Sequence, residues 1–298
     1  MPELPEVESI VRSIRPLVLG RRITGVEFPK GATNGSPKLS TLRVLAGPPR
    51  AFREAVCGSF IEGVERYGKN IVLRLRRRNG KGRFSLVIHL GMTGRLTCET
   101  TPEFQSRHTH LVLSLDAPGC WIHYNDIRQF GRIRLGDSSL DDLERLGPDP
   151  LEISFEEFFQ RLHGRQARVK SLLLDQRFLR GLGNIYADES LFQAGIHPAA
   201  WGSQIRQIRA LRLFRAIRET LLRAIQAGGS SVSNYVDGRG RSGSFQRLHQ
   251  VYRREGQSCS RCGSRIRRIQ IASRSSHFCP RCQRGGRDVS PRRLAGKR

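Results

Sequence analysis

The first residues of the chain combine an amine with carboxylates in a way that could do covalent chemistry. The sequence begins Met1-Pro2-Glu3, and a small second residue allows the initiator methionine to be removed. Pro2 would then carry a free secondary amine with a pKa of about 7.7–8.0, so about a tenth of it is neutral and nucleophilic at pH 7. Its attack on an aldehyde or a sugar C1′ carbon can give only a cationic iminium. That cation is an electron sink, beside which Glu3 could move protons.

A plainer explanation is that Pro2 and Pro5 only begin a helix. Proline is favoured in the first helical turn, where its missing N–H costs nothing. The apolar residues that follow have helical spacing: Val7, Ile10, Val11 and Ile14. The first six residues alone leave both explanations open.

Four cysteines near the other end of the chain have the spacing of a zinc site. Cys259 and Cys262 form one C-x2-C pair, Cys279 and Cys282 form another, and sixteen residues separate the pairs. Two such turns can close a tetrahedral four-sulfur site with no position left for water, so the expected metal is structural zinc. Redox pairs or disulfides are the alternatives, but neither a thioredoxin-like βαβ pattern nor a secretory apolar segment accompanies these cysteines.

The other three cysteines, Cys57, Cys98 and Cys120, lie in apolar segments with strand-like patterning. We interpret them as small buried hydrophobic residues. Unpaired cysteines of this kind indicate a reducing, intracellular compartment.

The charge of the chain indicates a polyanionic partner. Lysine and arginine number 52 against 26 acidic residues, which gives a formal net charge of +26. The excess is concentrated in residues 151–298, which carry 29 basic and 10 acidic side chains. Such a balance is typical of nucleic-acid binding with a strong salt dependence. No long apolar span or lipidation signal supports a membrane partner.

The elements that must position these residues differ between the two halves. After the first helix, short β segments alternate with turns, as in a sandwich or barrel, and Asn79-Gly80 is a hairpin signal. The predicted segments are Cys57–Arg66, Asn70–Arg76, Phe84–Leu90, His110–Leu115, Gly119–Tyr124 and Gly131–Leu135. Residues 29–50 have weak patterning and are predicted to form an exposed excursion.

Beyond a Gly- and Pro-rich hinge at 146–150 the pattern is helical. A helix is predicted over Phe155–Leu162 after Ser154, and a longer one over 204–226, stopped by Gly228-Gly229. The apolar stripe predicted for the longer helix is Ile205, Ile208, Leu211, Phe214, Ile217, Leu221, Leu222 and Ile225.

Short motifs in a specific order resemble one family over nearly the whole chain, the bacterial formamidopyrimidine-DNA glycosylases (Fpg/MutM). The motifs are Met1-Pro2-Glu3-Leu4-Pro5-Glu6-Val7-Glu8, Tyr67-Gly68-Lys69, His89-Leu90-Gly91-Met92-Thr93-Gly94, Asp126-Ile127-Arg128-Gln129-Phe130-Gly131, Gly181-Leu182-Gly183-Asn184-Ile185-Tyr186, Asp188-Glu189-Ser190-Leu191-Phe192, Ala194-Gly195-Ile196-His197-Pro198, Gln250-Val251-Tyr252 and the cysteine quartet. No single motif is decisive, but their order and combination are.

The resemblance implies an α+β multidomain fold: an N-terminal β-sandwich with flanking helices, a helical helix–two-turn–helix domain and a C-terminal zinc finger, with DNA bound in a cleft between the halves. The expected domains are a catalytic sandwich (1–137), a linker (138–150), the helical domain (151–232), a lesion-facing loop (233–250), the zinc finger (251–283) and a basic tail (284–298). The 29–50 excursion is longer than is usual in the family.

The resemblance also implies catalytic roles. Pro2 would attack C1′ of a damaged nucleotide, expel the base and hold the sugar as an iminium, while Glu3 protonates the ring oxygen. Lys69 would contact the DNA beside the lesion and assist elimination. Arg274 would grip the flanking phosphates and assist the second elimination. Glu6 would help to organise the N-terminus.

Further residues match the family's DNA contacts. Met92, Arg128 and Phe130 would fill the space left by a flipped base. Asn184 is predicted as an N-cap at a phosphate-binding helix start. The remaining DNA-binding matches are His108, Lys170 and Gln166, the last at a position that is often basic in the family.

The expected activity is that of a bifunctional glycosylase and AP lyase of base excision repair. It would remove 8-oxoguanine opposite cytosine and formamidopyrimidines from double-stranded DNA, acting as a monomer in the bacterial cytoplasm. One alternative is an endonuclease VIII-like enzyme for oxidised pyrimidines. The other is a non-catalytic zinc-ribbon DNA-binding protein, which would leave the Pro2-Glu3 start unexplained.

Overall fold

A computed structural model describes residues 2–29, 37–80, 82–103, 106–137 and 141–285. The chain divides into two compact units. The first comprises Met1–Arg145 and Ala224–Gln246, and the second comprises Leu146–Arg223 and Arg247–Arg298.

The first unit contains nine strands and several short helices among its described residues. In chain order they are α1 (Leu4–Val18), β1 (Ile23–Glu27), α2 (Leu39–Val44), β2 (Leu45–Ala46), α3 (Pro49–Val56), β3 (Phe60–Tyr67), β4 (Asn70–Arg76), β5 (Arg83–His89), β6 (Gly94–Glu99), β7 (Thr109–Leu115), β8 (Trp121–Asp126), β9 (Arg132–Gly136) and α4 (Asp141–Glu144).

These strands form two sheets that enclose one core. One sheet has the order β1-β7-β8-β6 and the other the order β2-β9-β5-β4-β3, in which only the β2–β9 pair is parallel. Leu73 and Ile88 from the second sheet share a buried cluster with Leu113 and Ile122 from the first. Helix α1 adds its apolar stripe to the same cluster, as its spacing predicts. The predicted β-sandwich with flanking helices is therefore confirmed.

Each of the six predicted β segments overlaps an observed strand, but three strands of this unit were not predicted: the two-residue β2, β1 and β6. β1 has Gly25 at its centre, and β6 carries only two apolar residues, Leu96 and Cys98. Strands this poor in apolar and β-branched residues give little periodic signal. They form because their neighbours β7 and β8 supply hydrogen-bonding partners.

The excursion predicted for 29–50 is only partly correct, and residues 30–36 lie outside the described ones. Residues 39–56 form α2, β2 and α3 instead of an exposed loop. Val44 is 1 % exposed and Phe52 is 2 % exposed, and both belong to the main core cluster. The weak patterning arises because each short helix buries only one or two side chains.

The second unit is helical, with a β-hairpin near its C-terminal end. Its elements are α5 (Phe155–His163), α6 (Val169–Leu174), α7 (Asn184–Ala194), a 3-10 turn (Gly202–Gln204), α8 (Gln207–Gln226), a second 3-10 turn (Phe245–Leu248), β10 (Arg267–Ile271) and β11 (Arg274–Phe278). Helix α8 and the second 3-10 turn each extend into the segment that belongs to the first unit.

Sequence signals located α5 and α8 well, but the buried face of α8 differs from the prediction. The Ser154 hydroxyl accepts a hydrogen bond from the Glu157 N–H at 3.1 Å, so α5 begins as predicted. Helix α8 ends before the predicted glycine pair. Ile208 and Leu222 of its predicted stripe are 65 % and 46 % exposed. Ile217, Leu221 and Ile225 are buried as predicted. Leu213 and the small residues Ala210 and Ala216 complete the buried face.

Candidate active site, nucleic-acid interface and zinc site

The two strongest candidates for catalytic residues are buried at the start of α1. Pro2 is buried, and Glu3 is 2 % exposed. The backbone N–H of Glu3 donates to the Glu6 carboxylate over 2.8 Å, the arrangement of a capping box. This bond fixes the backbone of the first residues. An amine at Pro2 and the Glu3 carboxylate therefore lie next to each other, shielded from bulk water.

Glu6 connects the N-terminus to a distant segment of the same unit. Its carboxylate accepts a hydrogen bond from the Ser230 N–H at 2.7 Å. The Tyr235 hydroxyl donates to the backbone carbonyl of Glu6 at 3.1 Å. Burial, reinforced by the Glu6 charge, raises the pKa of Tyr235, so its hydroxyl remains a donor. These contacts support an organising role for Glu6, and sequence analysis gave no role to Ser230 or Tyr235.

Lys69 lies in the turn between β3 and β4, at the same end of the unit as Pro2. Helix α1 runs antiparallel to β3, because Arg15 donates to the carbonyl of Val64 while Glu8 pairs with Arg66 at 2.9 Å. Continuing in the same direction, the start of α1 lies towards the turn that carries Lys69. The turn thus places a cation near the candidate nucleophile.

A half-buried histidine feels the positive charge around this turn. His89 at the end of β5 pairs with Asn70, the first residue of β4. Burial lowers the pKa of His89, and the positive charges of Lys69 and Arg132 lower it further. His89 is therefore neutral at pH 7. The loop that follows it, 90–94, starts beside the Lys69 turn.

Asp126 organises the two loops that carry the predicted wedge residues. Its carboxylate accepts hydrogen bonds from the Thr93 hydroxyl at 2.6 Å and the Gly131 N–H at 2.7 Å. The Thr93 hydroxyl accepts in turn from the Arg128 N–H at 3.0 Å. Loops 90–94 and 126–131 are thus held as one structure. Asp126 begins the motif that runs to Gly131, yet nothing in its sequence context predicts this organising role.

Gly91 allows the two loops to touch. Its φ of 58° lies in the left-handed region. A Cβ atom placed there would lie 2.5 Å from the carbonyl carbon of Phe130. Only glycine fits this contact, so the predicted neighbourhood of Met92 and Phe130 depends on it.

The tips of these loops expose an apolar surface together with an arginine. Met92 is 36 % exposed, Ile127 is 47 % exposed and Phe130 is 53 % exposed. The Arg128 guanidinium carbon lies 4.7 Å from the centroid of the Phe130 ring. Met92 and Phe130 are therefore not core residues, and the sequence gave no hint that Ile127 would join them.

His108 lies in a polar turn near this surface. Its backbone N–H donates to the Ser106 hydroxyl at 3.1 Å, and its carbonyl accepts from the Asp126 N–H at 3.0 Å. The half-buried side chain lines a cavity of about 270 Å³ with Thr97 and Asn125. The position is compatible with a ligand contact.

The structure corrects the prediction that Asn184 is an N-cap. Gly183, in an extended conformation, precedes the first turn of α7, and Asn184 is the first helical residue. The Asn184 Oδ1 atom is buried and has no hydrogen-bond partner among the described residues. The first N–H groups of α7 still form the start of an eleven-residue helix, which favours anions.

Lys170 does not contact solvent, so a direct contact with DNA is excluded in this structure. The whole residue is 0 % exposed. Its Nζ atom donates to the Asp188 carboxylate at 2.6 Å and to the carbonyl of Ser275 at 2.7 Å. Asp188 also accepts from the backbone N–H of His277 at 2.9 Å. Lys170 therefore joins α6 to α7 and to the hairpin strand β11.

We expect Lys170→Met to lower the free energy of unfolding by about 3–5 kcal/mol, because Asp188 would remain buried without its cation. Urea unfolding of the variant measures the loss. Arg165→Met is the matched control, since Arg165 pairs with Asp175 at 2.8 Å with both side chains about 40 % exposed. Its effect should stay below about 1 kcal/mol. Equal losses in the two variants would contradict the assignment.

Gln166 is exposed near the start of α6, and its two flanking arginines are engaged elsewhere. Arg165 pairs with Asp175, and Arg168 stacks on Trp201 with its guanidinium carbon 4.3 Å from the ring centroid. Arg168 also donates to the carbonyl of Ala199. Gln166 thus remains available for contacts outside the unit.

Arg274 is exposed at the tip of the β10–β11 hairpin. It pairs with Ile271, so the turn between them consists of Ala272 and Ser273. Both turn residues have positive φ, 50° and 57°, as a two-residue hairpin turn requires. Because neither is Gly or Asn, the sequence gave no hairpin signal here.

The four cysteines predicted to bind zinc come together at the base of this hairpin. Their sulfur atoms all lie within 4.8 Å of one another. Cys259 and Cys282 are 3.9 Å apart, and Cys262 and Cys279 are 3.4 Å apart. A tetrahedral zinc with bonds of about 2.3 Å needs sulfurs about 3.8 Å apart, so the geometry fits. Cys259 and Cys279 also pack in a small core with Phe192, Val251 and Ile266.

Comparison with known proteins covers nearly all of the chain. The family model for the formamidopyrimidine-DNA glycosylase N-terminal domain matches residues 1–133, and that for the H2TH domain matches residues 146–236. The model described as the zinc finger found in FPG and IleRS matches residues 256–285. A formamidopyrimidine-DNA glycosylase of Solibacter usitatus is 49 % identical over 285 residues, 95 % of this chain and 100 % of the relative.

The chain belongs to the formamidopyrimidine-DNA glycosylase family. Another member, from Pelotomaculum thermopropionicum, is 40 % identical over 95 % of this chain and 99 % of its own length. The solved complex between the Lactococcus lactis Fpg and an abasic site containing DNA matches with a TM-score of 0.83 at 31 % identity, covering 95 % of this chain and 100 % of that one. The Thermus thermophilus MutM (Fpg) structure matches with a TM-score of 0.79 at 37 % identity, covering 96 % and 100 %.

Family membership and the geometry of the four sulfur atoms together identify the metal as zinc. The cysteine quartet is its zinc finger and holds one structural zinc ion. The α+β fold with a sandwich, a helical domain and a zinc finger is confirmed. Among the described residues, no helix combines the length and the apolar character that a membrane crossing requires.

Proposed function

We propose that this chain is a bifunctional DNA glycosylase and AP lyase that excises oxidised purines from double-stranded DNA during base excision repair. The observation that carries the proposal is the buried Pro2-Glu3 pair at the start of α1, in a member of a glycosylase family. The titles of matching structures name abasic-site, Fapy-dG and 8-oxo-G DNA as the ligands of related enzymes. These ligands support the proposed substrate class.

In the first step the neutral Pro2 amine attacks C1′ of the damaged nucleotide. The bond from C1′ to the base breaks, and the base leaves with a proton. Glu3 protonates the sugar-ring oxygen, which opens the ring and gives a cationic iminium between Pro2 and C1′. Glu3 is buried beside Pro2, so its carboxyl can exchange a proton with the sugar without competition from bulk water.

In the later steps the iminium acts as the electron sink for strand cleavage. Loss of a proton from C2′ expels the 3′ phosphate, and a second elimination expels the 5′ phosphate. Lys69, placed in the turn near the start of α1, assists the first elimination. Arg274 at the exposed hairpin tip grips the phosphates and assists the second.

Removal of a base from the stack requires something to fill the space. Met92 and Phe130 supply apolar and aromatic surface at exposed loop tips, which offsets the stacking that is lost. Arg128, stacked on Phe130, directs fixed donors towards the opposite base, for which cytosine offers matching acceptors. The Asp126 network holds this group in position.

We expect Arg128→Ala to reduce 8-oxoguanine excision and to flatten the preference for cytosine opposite. Loss of one good charged contact costs about 1–3 kcal/mol of discrimination, or roughly 5- to 150-fold. Single-turnover excision from duplexes with each of the four opposite bases measures the change. Cleavage of a preformed abasic site should suffer less, because Pro2 and Glu3 remain.

Arg128→Lys provides the control, because it keeps the charge but loses the planar fork of donors. It should preserve DNA affinity while still weakening the preference for cytosine. If Arg128→Ala lowered both activities equally and left the opposite-base preference unchanged, Arg128 would instead be a phosphate contact.

Other residues of the proposed interface grip the backbone. The start of α7 offers the positive end of its helix dipole and the Asn184 side chain to a phosphate. Exposed Gln166 and half-buried His108 supply further polar contacts. We also propose that the protein acts as a monomer in the bacterial cytoplasm, where it associates with the nucleoid through DNA.

A comparison of two lesions tests the proposed substrate class. Excision of 8-oxoguanine opposite cytosine should exceed excision of thymine glycol at equal enzyme concentration. A preference for thymine glycol would instead indicate an endonuclease VIII-like enzyme. Binding without release of either base would indicate a non-catalytic DNA-binding protein.

A further inference from the structure

Two cysteines outside the zinc finger face each other in the first unit. Cys98 lies on β6 and Cys120 directly precedes β8, and their sulfur atoms are 2.8 Å apart. The register of the two strands places Cys98 opposite Ile122, so Cys120 occupies the diagonal position on the same face. Neither cysteine is part of a disulfide. The prediction that they are small buried hydrophobic residues overlooked this contact.

The third cysteine outside the finger has different surroundings. Cys57 is exposed at the end of α3, which corrects its predicted burial. Its thiol donates to the carbonyl of Thr24 at 3.4 Å. The chain thus contains an isolated, accessible thiol that serves as an internal comparison for the pair.

The pair has one reachable and one shielded member. Cys98 is partly exposed, whereas Cys120 is 8 % exposed. A small oxidant can therefore reach Cys98. Cys120 contacts Cys98 from the interior of the unit. Closing the sulfur–sulfur distance from 2.8 Å to a bond requires a movement of about 0.8 Å.

The environment favours a thiolate within the pair. A hydrogen bond from the Cys98 thiol lowers the pKa of Cys120 against the effect of burial, and the nearby Arg21 lowers it further. The same hydrogen bond raises the pKa of Cys98. Cys120 is therefore the more easily ionised sulfur of the pair, and the ionised form is the reactive form of a thiol.

We propose that Cys98 and Cys120 form a redox-active dithiol that hydrogen peroxide converts reversibly to a disulfide. One thiol attacks a peroxide oxygen, the O–O bond breaks, and a sulfenic acid and water form. The second thiol then attacks the sulfenic sulfur, forms the S–S bond and expels a second water. A thiol reductant returns both electrons and both protons. This modification is independent of the proposed glycosylase activity.

The pair is also connected to the segment that contacts the N-terminus. The backbone N–H of Cys98 donates to the carbonyl of Gly238 at 2.7 Å. Gly238 belongs to the segment that contains Ser230 and Tyr235, the partners of Glu6. A disulfide at Cys98 therefore forms on β6, the strand whose backbone is hydrogen-bonded to this segment.

Peptide mapping of the zinc-loaded, full-length protein tests the proposal. Cleavage after Arg95, Arg107 and Arg128 places Cys98 in peptide 96–107 and Cys120 in peptide 108–128. After brief exposure to hydrogen peroxide, a disulfide-linked pair of these peptides should appear and should vanish on treatment with dithiothreitol. It should form at least about tenfold faster than Cys57 is oxidised, because the Cys57 thiol donates to a carbonyl, which does not favour its thiolate.

Three variants sharpen the test. Cys98→Ser and Cys120→Ser should each abolish the linked peptides, whereas Cys57→Ser should leave them unchanged. Oxidation of Cys57 without a Cys98–Cys120 link would overturn the proposal, as would links formed mainly to the zinc-binding cysteines. Mapping of the unsubstituted protein decides the question even if a variant fails to fold.

Discussion

Protein that retains Met1 should release no damaged base and cleave no DNA strand. A peptide bond to Met1 converts the Pro2 nitrogen into an amide, which has no available lone pair for attack on C1′. Because covalent catalysis depends on that nucleophile, both activities should fall by about a thousandfold or more. A gel assay on 8-oxoguanine duplex measures this, with protein prepared in cells deprived of methionine aminopeptidase activity and checked by intact mass.

Pro2→Gly is the matched variant for this experiment. After removal of Met1 it presents a primary amine at the same position, so it should keep part of the strand cleavage. Normal excision by protein that still carries Met1 would show that Pro2 is not the nucleophile. The buried helix start would then have only the structural role that its sequence also allows.

Cys279→Ser should lose zinc and, with it, DNA binding. Structural zinc contributes about 10–16 kcal/mol in isolated fingers, far more than the small core around Cys259 and Cys279 can replace. The hairpin that presents Arg274 would lose the zinc site that supports it. We expect less than one zinc per chain by elemental analysis and at least about a hundredfold weaker binding to abasic-analogue duplex by fluorescence anisotropy.

The first unit should remain folded in this variant, because its core contains no zinc ligand. Slow hydrogen exchange of β4 and β5 provides the check. Cys57→Ser is the control, since it removes an exposed cysteine outside the finger and should change neither zinc content nor binding. Full zinc occupancy and normal affinity in Cys279→Ser would contradict the assignment.

The parts of the fold that local chemistry determines were predictable. The C-x2-C spacing identified the zinc ligands because each pair closes within one turn. Ser154 located the start of α5 because its hydroxyl caps the nearby Glu157 N–H. The strand over Asn70–Arg76 was predicted at its observed bounds because its apolar residues, Ile71, Val72, Leu73 and Leu75, lie between turns at both ends.

The parts of the structure that depend on long-range packing were not predictable from the sequence. Lys170 has the sequence context of a DNA contact, but its partner carbonyl at Ser275 lies 105 residues away. The contact between Glu6 and Ser230 spans 224 residues. No local pattern encodes either pairing. The buried face of α8 was only partly predicted, because small alanines mark it less clearly than large apolar residues do.

Borohydride trapping on an 8-oxoguanine duplex tests the central claim most directly, because it requires both the nucleophile and the substrate. The protein without Met1 should form one covalent adduct with the DNA, and proteolysis should locate it in peptide 2–12, which ends at Arg12. An abasic-site duplex should give the same adduct. An adduct on a lysine such as Lys69, or no adduct from protein that cleaves the strand, would contradict the account.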